Sequence, residues 1–155
     1  MPVAGLMELS ATRDIPCSAD QVFTFLADAS KNPLWQKGMR HCWWVPPEPI
    51  GIGSVYEQEA SFLGRSVRSR FEVVACQPGR TITIKTIEST FPITVTRSVQ
   101  DLGPDRCRVE ARIVGEPGRI FAIAGPLLRR FAQRSVDADY DRRGPFPRLG
   151  VRRER

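Results

Sequence analysis

The feature that most constrains the fold is the last long segment with helical periodicity, residues 119–142. One side of this predicted helix carries apolar and small residues at spacings of three and four: Ile120, Phe121, Ala124, Leu127, Leu128, Phe131, Ser135 and Ala138. Charged residues fall mostly on the other side. Almost all of residues 39–116 has the composition of β-strands, so this single long helix must pack its apolar side on the sheet that they form.

Seven strands and two short helices are predicted before the long helix. The first strand covers residues 6–15, and Ser18 with Gln21 then has the spacing of a capping box, which starts a short helix that ends near Asp28. A second short helical turn follows at residues 34–35. The six further strands are predicted over residues 39–45, 54–62, 65–76, 81–88, 91–102 and 106–115. The fold class is therefore α+β.

The basic charge of the chain is concentrated at its C-terminal end. The 155 residues have a formal net charge of +6, but residues 129–155 alone hold nine Arg and four acidic residues, a net charge of +5. The length predicts one domain, over residues 1–143, followed by a basic tail over residues 144–155. We interpret the charged end as a solvated surface, with contact to nucleic acid or an anionic membrane as the alternative.

Membrane spans, secretory signals and metal sites have no sequence support. No apolar run approaches the roughly 18 residues of a membrane helix. The N-terminal MPVAGLMELS has no basic region followed by an apolar core, so the cytoplasm is the expected location. No metal site and no cofactor are expected, because His41 is the only His and the four cysteines are scattered, at Cys17, Cys42, Cys76 and Cys107.

Residues 54–76 predict a hairpin whose register can be derived. If residues 63–64 form a two-residue loop, each position on one strand has a defined partner on the other. The outer face then carries a ladder of opposite charges, in the pairs Glu57–Arg70 and Glu59–Arg68. The inner face carries Tyr56, Gln58, Ala60, Phe62, Val67, Ser69, Phe71 and Val73.

The later strands place one cation among apolar residues on the same inner face. The alternation there predicts as inner residues Ile82, Ile84, Thr86, Val95, Arg97, Val99, Val109, Ala111 and Ile113. Two interpretations of Arg97 stay open. It lies near a strand end and extends to water, or it binds an anionic group of a ligand.

Three tryptophans lie within ten residues, at Trp35, Trp43 and Trp44. Adjacent residues of a strand point to opposite faces, so only one of Trp43 and Trp44 can face the helices. The alternating set that contains His41 and Trp43 is favoured as the inner one. These aromatic residues either belong to the core or form the walls of an apolar pocket in which His41 and Tyr56 orient a ligand.

Residues between positions 15 and 35, most of them apolar, carry a resemblance to a known family. They are Ile15, Val22, Phe23, Leu26, Ala27, Asp28, Pro33 and Trp35. With the segments GIGS, RFEVVACQPGRTITI and GEPGRIFAIAGPLLRR, they resemble the START-like, or SRPBCC, superfamily, in its polyketide cyclase/dehydrase and lipid-transport branch. The resemblance covers roughly residues 6–142 and ends where Gly-Pro-Phe-Pro follows Arg143.

The resemblance implies a helix-grip fold, in which a curved seven-stranded antiparallel sheet wraps around a long C-terminal helix and leaves a cavity between them. Members of this superfamily bind lipids, sterols, polyketides or other apolar molecules, and some cyclise or dehydrate polyketides. The branch has no universal catalytic signature, so no catalytic residue carries over. The candidate residues that line the cavity are Trp35, His41, Trp43, Tyr56, Gln58, Ser69, Phe71, Arg97, Phe121 and Leu128.

The predicted function is binding of a small apolar or amphipathic molecule, such as a lipid or a polyketide, in this cavity. The alternative is a polyketide cyclase or dehydratase-like enzyme, which would need an acid or base inside, and the candidates are His41, Tyr56 and Arg97. Gly125-Pro126 predicts a kink or restart of the helix. Residues 120–123 before it are interpreted as a movable lid. A small apolar ligand is the expected partner, and nothing in the sequence identifies a macromolecular one or the oligomeric state.

Overall fold

The computed structural model describes residues 7–45, 50–62, 64–89, 92–115 and 125–141 of the chain. Each predicted strand is present, within two residues of its predicted bounds. The α+β class is confirmed. The elements in chain order are strand β1 (Met7–Ile15), helix α1 (Ala19–Ala27), a 3₁₀ helix (Ala29–Leu34), β2 (Met39–Val45), β3 (Val55–Phe62), β4 (Arg65–Gln77), β5 (Thr81–Glu88), β6 (Ile93–Gly103), β7 (Arg106–Gly115) and helix α2 (Gly125–Asp141).

The seven strands form one antiparallel sheet in the order β1-β7-β6-β5-β4-β3-β2. Strands β2 to β7 follow one another as a meander, and β1 adds to the free edge of β7. Strands β1 and β2 therefore lie at opposite edges, although they are neighbours in the sequence. The chain that joins them, α1 and the 3₁₀ helix, has to cross one face of the sheet. We call this covered side the inner face.

The hairpin of β3 and β4 has the predicted register. Glu57 lies opposite Arg70, and Glu59 lies opposite Arg68. The Arg70 Nη2 atom is 2.8 Å from Glu57 Oε1, and the Arg68 Nε atom is 3.9 Å from Glu59 Oε2. Gly64 in the loop has φ +76°, a conformation that glycine adopts without a Cβ penalty. The outer charge ladder is confirmed.

Helix α1 begins where the capping sequence predicts. Ser18 has an extended backbone, and its side-chain oxygen accepts a hydrogen bond from the Gln21 N–H at 3.3 Å. The helix buries Val22, Phe25 and Leu26 against the inner face of the sheet. No helix in the described part of the chain is both long and apolar enough to span a bilayer.

The inner face of β5, β6 and β7 carries the residues that alternation predicts. The buried apolar residues of these strands include Ile82, Ile84, Val95, Val99, Val109 and Ala111. Arg97 is buried among them in the middle of β6, opposite Ile82 of β5 and Ala111 of β7. The interpretation of Arg97 as a residue near a strand end that extends to water is therefore wrong.

Strand β2 presents the opposite face from the one predicted. Trp44 lies opposite Tyr56, which faces inward, whereas Trp43 lies opposite Glu57 of the outer charge ladder. His41 is exposed and lies opposite Glu59. The prediction of His41 and Trp43 as inner residues is wrong, and Trp44 takes the inner position. The reason is on the outer face, where the Arg68 guanidinium covers the Trp43 ring at 5.7 Å.

Polar contacts attach helix α2 to the edge strand β1. The Gln133 Nε2 atom donates to the Ser10 carbonyl oxygen at 2.7 Å. Arg13 of β1 forms ion pairs with Asp137 and Asp141 of the helix. The helix therefore runs beside β1 and reaches the inner face with its C-terminal turns.

The last turns of α2 are rotated from the predicted orientation. Ser135 and Ala138 are exposed, while Val136 packs against the core and Tyr140 is buried. The prediction of Ser135 and Ala138 on the packed side is wrong, because the ion pairs with Arg13 turn the aspartates toward β1. The predicted helical residues 119–124, with the lid over residues 120–123, lie outside the described residues.

Candidate functional site

Arg97 is the centre of a polar and aromatic cluster inside the fold. Only 8% of its surface is exposed. Its Nε atom donates a hydrogen bond to the Tyr140 hydroxyl at 2.9 Å, and its guanidinium lies 5.2 Å from the centre of the Trp35 ring. Trp35 in turn packs edge-on against Tyr140, with 4.9 Å between the ring centres. Strand β6, helix α2 and the end of the 3₁₀ helix thus meet at one side chain.

The Arg97 side chain is a cation in this environment. Burial acts to lower the pKa of Arg97, but the nearby oxygens of Tyr140 and Tyr56 outweigh burial and raise the pKa above its usual value. No carboxylate of a described residue forms an ion pair with Arg97. Tyr140 is its one hydrogen-bond partner among the described residues. Its terminal nitrogens therefore keep their donors unused within this part of the chain.

A row of three aromatic residues continues the cluster across β2, β3 and β4. The Tyr56 ring stacks on Phe71, with 5.1 Å between the ring centres and 11° between the planes. Trp44 packs edge-on against Tyr56, with 5.3 Å between the ring centres. Burial raises the pKa of Tyr56, so its hydroxyl stays protonated. That hydroxyl makes no hydrogen bond to any other described residue, and it is available as a donor or acceptor.

A small internal cavity lies between this aromatic row and helix α1. Its volume is about 10 Å³, which is room for about one water molecule. Arg97 and Tyr56 supply polar groups in an otherwise apolar wall. The lining residues are Leu26, Ala27, Ala29, Trp44, Tyr56, Ile82, Ile84, Val95 and Arg97.

Asp28, Asn32 and Cys42 form the polar margin of the cluster. The Asp28 carboxylate accepts hydrogen bonds from the Trp44 indole at 2.9 Å and from the Ser30 hydroxyl at 2.6 Å. Burial acts to raise the pKa of Asp28, but these hydrogen bonds together outweigh burial and lower the pKa, so the group is ionised. Burial raises the pKa of the Cys42 thiol to about 12, so the thiol is neutral. The buried Asn32 Oδ1 atom has no hydrogen-bond partner among the described residues.

The structure brings part of the predicted set of site residues together. Trp35, Tyr56, Phe71 and Arg97 share the inner face and are buried. Gln58 and Ser69 lie farther along β3 and β4, where the Ser69 hydroxyl is 2.7 Å from the Ser89 hydroxyl. Phe121 and the side chain of Leu128 lie outside what the structure describes. The binding role of each residue stays a prediction.

His41 and Trp43, the two remaining predicted residues, lie on the outer face. Trp43 borders a shallow groove of about 190 Å³, whose lining also includes the predicted site residues Gln58 and Ser69. The other lining residues are Glu57, Arg68, Arg70 and Glu88. Four of its seven lining residues are charged, and two of these, Glu57 and Arg70, form an ion pair with each other. None of its lining residues lines the cavity beside Arg97. Within the described residues, no group of three His, Cys, Asp or Glu side chains is arranged to hold a metal ion.

Three residues of the cluster are absent from the set of predicted site residues. Strand alternation predicts Trp44 on the outer face, although it predicts its partner Tyr56 correctly. Helical periodicity indicates Tyr140 only as part of the C-terminal helix that forms one wall of the predicted cavity. Its hydrogen bond to Arg97 has no local sequence signal. Leu26 is indicated only as part of the apolar side of a short helix. The spacing of Val136 and Tyr140, one helical turn apart, is the signal that could have indicated the packed side of α2.

Residues 7–143 match the family described as "Polyketide cyclase / dehydrase and lipid transport". The match includes all seven strands, α1 and α2. The chain belongs to this family. The resemblance to the START-like superfamily is thereby confirmed, and the sheet with its helices has the helix-grip arrangement. As the family description states, its members are associated with polyketide cyclisation or dehydration and with lipid transport.

Several solved structures have the same fold at low sequence identity. A protein from Thermus thermophilus is 19% identical with a TM-score of 0.72, over 86% of this chain and 91% of that one. A START superfamily protein from Mycobacterium smegmatis is 20% identical with a TM-score of 0.65, over 84% and 94% of the two chains. The Zhui aromatase/cyclase from Streptomyces sp. R1128 is 16% identical with a TM-score of 0.58, over 71% and 67%. A comparison with curated proteins finds no match.

Proposed function

We propose that this chain binds a small apolar or amphipathic molecule between the inner face of the sheet and its helices. The observation that carries the proposal is the internal cavity, whose wall is apolar except for Tyr56 and Arg97. A few polar groups in an apolar wall are the usual composition of small-molecule sites, because apolar area supplies affinity and polar groups supply orientation. Family membership supports the same function.

The cavity has to enlarge for a ligand longer than a water molecule. The buried Tyr140 anchors the C-terminal end of helix α2 in the core, whereas weaker contacts attach the helix to the edge strand. Its described contacts with β1 are ion pairs and hydrogen bonds near the surface, formed by Arg13 and Gln133. Each such exposed pair contributes about 0–1 kcal/mol. We propose that α2 pivots about its C-terminal end when the ligand enters, so that Tyr140 keeps its hydrogen bond to Arg97, within a domain of residues 1–143 to which residues 144–155 are appended.

Binding is better supported than catalysis in the same cavity. A cyclase or dehydratase needs a group that exchanges a proton near neutral pH. His41, the candidate with the most suitable chemistry, is exposed on the outer face. Burial raises the pKa of Tyr56, and the pKa of Arg97 is also raised. Both inner candidates therefore keep their protons at neutral pH and can orient a ligand by hydrogen bonds.

The matched pair Trp44 and Trp43 tests the proposed location. Nile red, a neutral dye, is expected to become fluorescent in the presence of the full chain, and decanol should displace it. Trp44→Ala removes an aromatic wall of the cavity and should weaken decanol binding about tenfold. Trp43→Ala removes an identical side chain from the opposite face of the same strand and should leave decanol binding unchanged. Equal losses in both variants, or no dye binding by the wild-type protein, would contradict the proposal.

A further inference from the structure

We propose that the ligand of this site carries a carboxylate, which binds the terminal nitrogens of Arg97. The inference rests on the proposed function and adds to it the chemical class of the ligand, an apolar chain or ring system that ends in one carboxylate. It follows from the geometry around Arg97, from the absence of an anion among its described neighbours, and from the number of charges on the inner face.

The position of Arg97 favours a compensating anion. The side chain lies in the middle of a central strand, with 8% of its surface exposed, and it lines the internal cavity. A buried cation is costly unless an anion and hydrogen-bond acceptors replace the water that it has lost. Tyr140 accepts one of the five N–H bonds that a guanidinium can donate. No other described residue accepts a further one.

The carboxylate at the margin of the cluster is already engaged. Asp28 accepts hydrogen bonds from Trp44 and Ser30, and it lies in the field of Lys31. It forms no ion pair with Arg97. A protein that used Asp28 to neutralise Arg97 would bring the two side chains into contact. Here they belong to separate hydrogen-bond networks, and no described residue supplies an anion to Arg97.

The surroundings of Arg97 hold its guanidinium in one orientation. The hydrogen bond from Nε to Tyr140 fixes one edge of the planar group, and the Trp35 ring lies 5.2 Å from it. The terminal nitrogens are thereby left as a fixed pair of donors. Two parallel N–H donors match the two oxygens of a carboxylate, which is the usual bidentate pairing of arginine.

The charge count favours a carboxylate over a phosphate. Arg97 is the only buried cationic side chain among the described residues. A monoanion neutralises one arginine, whereas a phosphate monoester with nearly two charges would bring an excess of negative charge into the apolar cavity. The rest of the ligand is apolar, because the remaining wall is made of Leu26, Ile82, Ile84 and Val95 with their aromatic neighbours.

The test compares decanoate with decanol, two ligands with the same chain that differ in charge. Each is used to displace Nile red from the full chain at pH 8, decanoate below its critical micelle concentration and decanol below its solubility limit. We expect the wild-type protein to bind decanoate at least about tenfold more tightly than decanol. Arg97→Met, which keeps the apolar stem of the side chain, should abolish this preference while decanol binding is retained.

Arg68→Met is the matched control. Arg68 also lies over a tryptophan ring, at 5.7 Å from Trp43, but on the outer face. This variant should keep the full preference for decanoate, which excludes a general effect of the net charge. If Arg97→Met does not fold, Arg97→Lys should retain a reduced preference, because it keeps the charge and loses the paired donors.

The possible results separate this inference from the proposed function. Equal binding of decanoate and decanol by the wild-type protein would overturn the inference and leave the apolar site intact. A preference for decanoate that persists in Arg97→Met or disappears in Arg68→Met would also overturn it. Binding of neither ligand would overturn the proposed function itself. Tighter binding of decyl phosphate than of decanoate would contradict the assignment of a carboxylate.

Discussion

Replacement of Trp35 by Ala is expected to lower the free energy of unfolding by about 3–5 kcal/mol, the usual cost of deleting a large buried ring. Trp35 is 1% exposed and contacts both Tyr140 of α2 and Arg97 of β6. Three effects contribute to this loss of stability. The favourable free energy of burying the indole is lost, a cavity remains in the core, and one side of the Arg97 guanidinium loses its aromatic contact. The measurement is urea-induced unfolding followed by far-ultraviolet circular dichroism, which does not depend on the tryptophan that is removed.

Trp43→Ala is the control for this experiment. Trp43 lies on the outer face, where its contacts are the outer charge ladder and the guanidinium of Arg68. We expect its replacement to lower the free energy of unfolding by about 1 kcal/mol or less. Similar losses for Trp35→Ala and Trp43→Ala would contradict the assignment of the inner and outer faces.

Tyr140→Phe is expected to destabilise the protein by about 1–3 kcal/mol, because it leaves the buried Arg97 Nε donor without its acceptor. In the double variant Arg97→Met/Tyr140→Phe both partners become apolar, and the unfolding free energy should return to the wild-type value or exceed it. Arg97→Met should thus offset the loss of stability that Tyr140→Phe causes on its own. Urea unfolding of the wild type, both single variants and the double variant measures this coupling as a double-mutant cycle.

Tyr56→Phe is the matched control for the cycle. Tyr56 is as deeply buried as Tyr140, but its hydroxyl has no hydrogen bond to another described residue. Its loss should change the unfolding free energy by less than about 0.5 kcal/mol. Additive losses in the double variant, or a Tyr56→Phe variant less stable than Tyr140→Phe, would show that the Arg97–Tyr140 pair has been assigned incorrectly.

The direction of these predicted changes in unfolding free energy bears on the role of Arg97. A cation inside an apolar core is costly, and an apolar side chain of similar size would fill the position at lower cost. Arg97→Met/Tyr140→Phe is predicted to be as stable as the wild type and to lose the preference for a carboxylate ligand. That result would show that stability alone does not explain the arginine at this position, and it would support ligand recognition as the reason.

The sequence predicted best those features that are fixed by short connections. The two-residue loop at 63–64 leaves one register for β3 and β4, so the outer ladder of Glu57–Arg70 and Glu59–Arg68 follows from the sequence. Strand alternation likewise places Arg97 on the inner face. Both inferences use periodicity over a few neighbouring residues, and tertiary packing does not override them.

The features that the sequence did not predict depend on distant contacts. Strand β2 joins β3 through residues 46–54, a connection too long to fix which face is inward, and both of its faces carry a tryptophan. The arginine that covers Trp43 comes from β4, two strands away. The rotation of α2 depends on Arg13, more than a hundred residues earlier in the chain. Such pairings between segments far apart in sequence cannot be derived from the local pattern of either one.

The central claim is that an apolar molecule lies against the inner face of the sheet. Nuclear Overhauser effects between decanol and isotopically labelled isoleucine methyl groups of the full chain test it most directly. We expect contacts from the decanol chain to Ile82 and Ile84, which line the cavity. Ile87 lies on the same strand, points outward and is 50% exposed. Contacts to Ile87 with none to Ile82 or Ile84 would contradict the proposed location of the ligand.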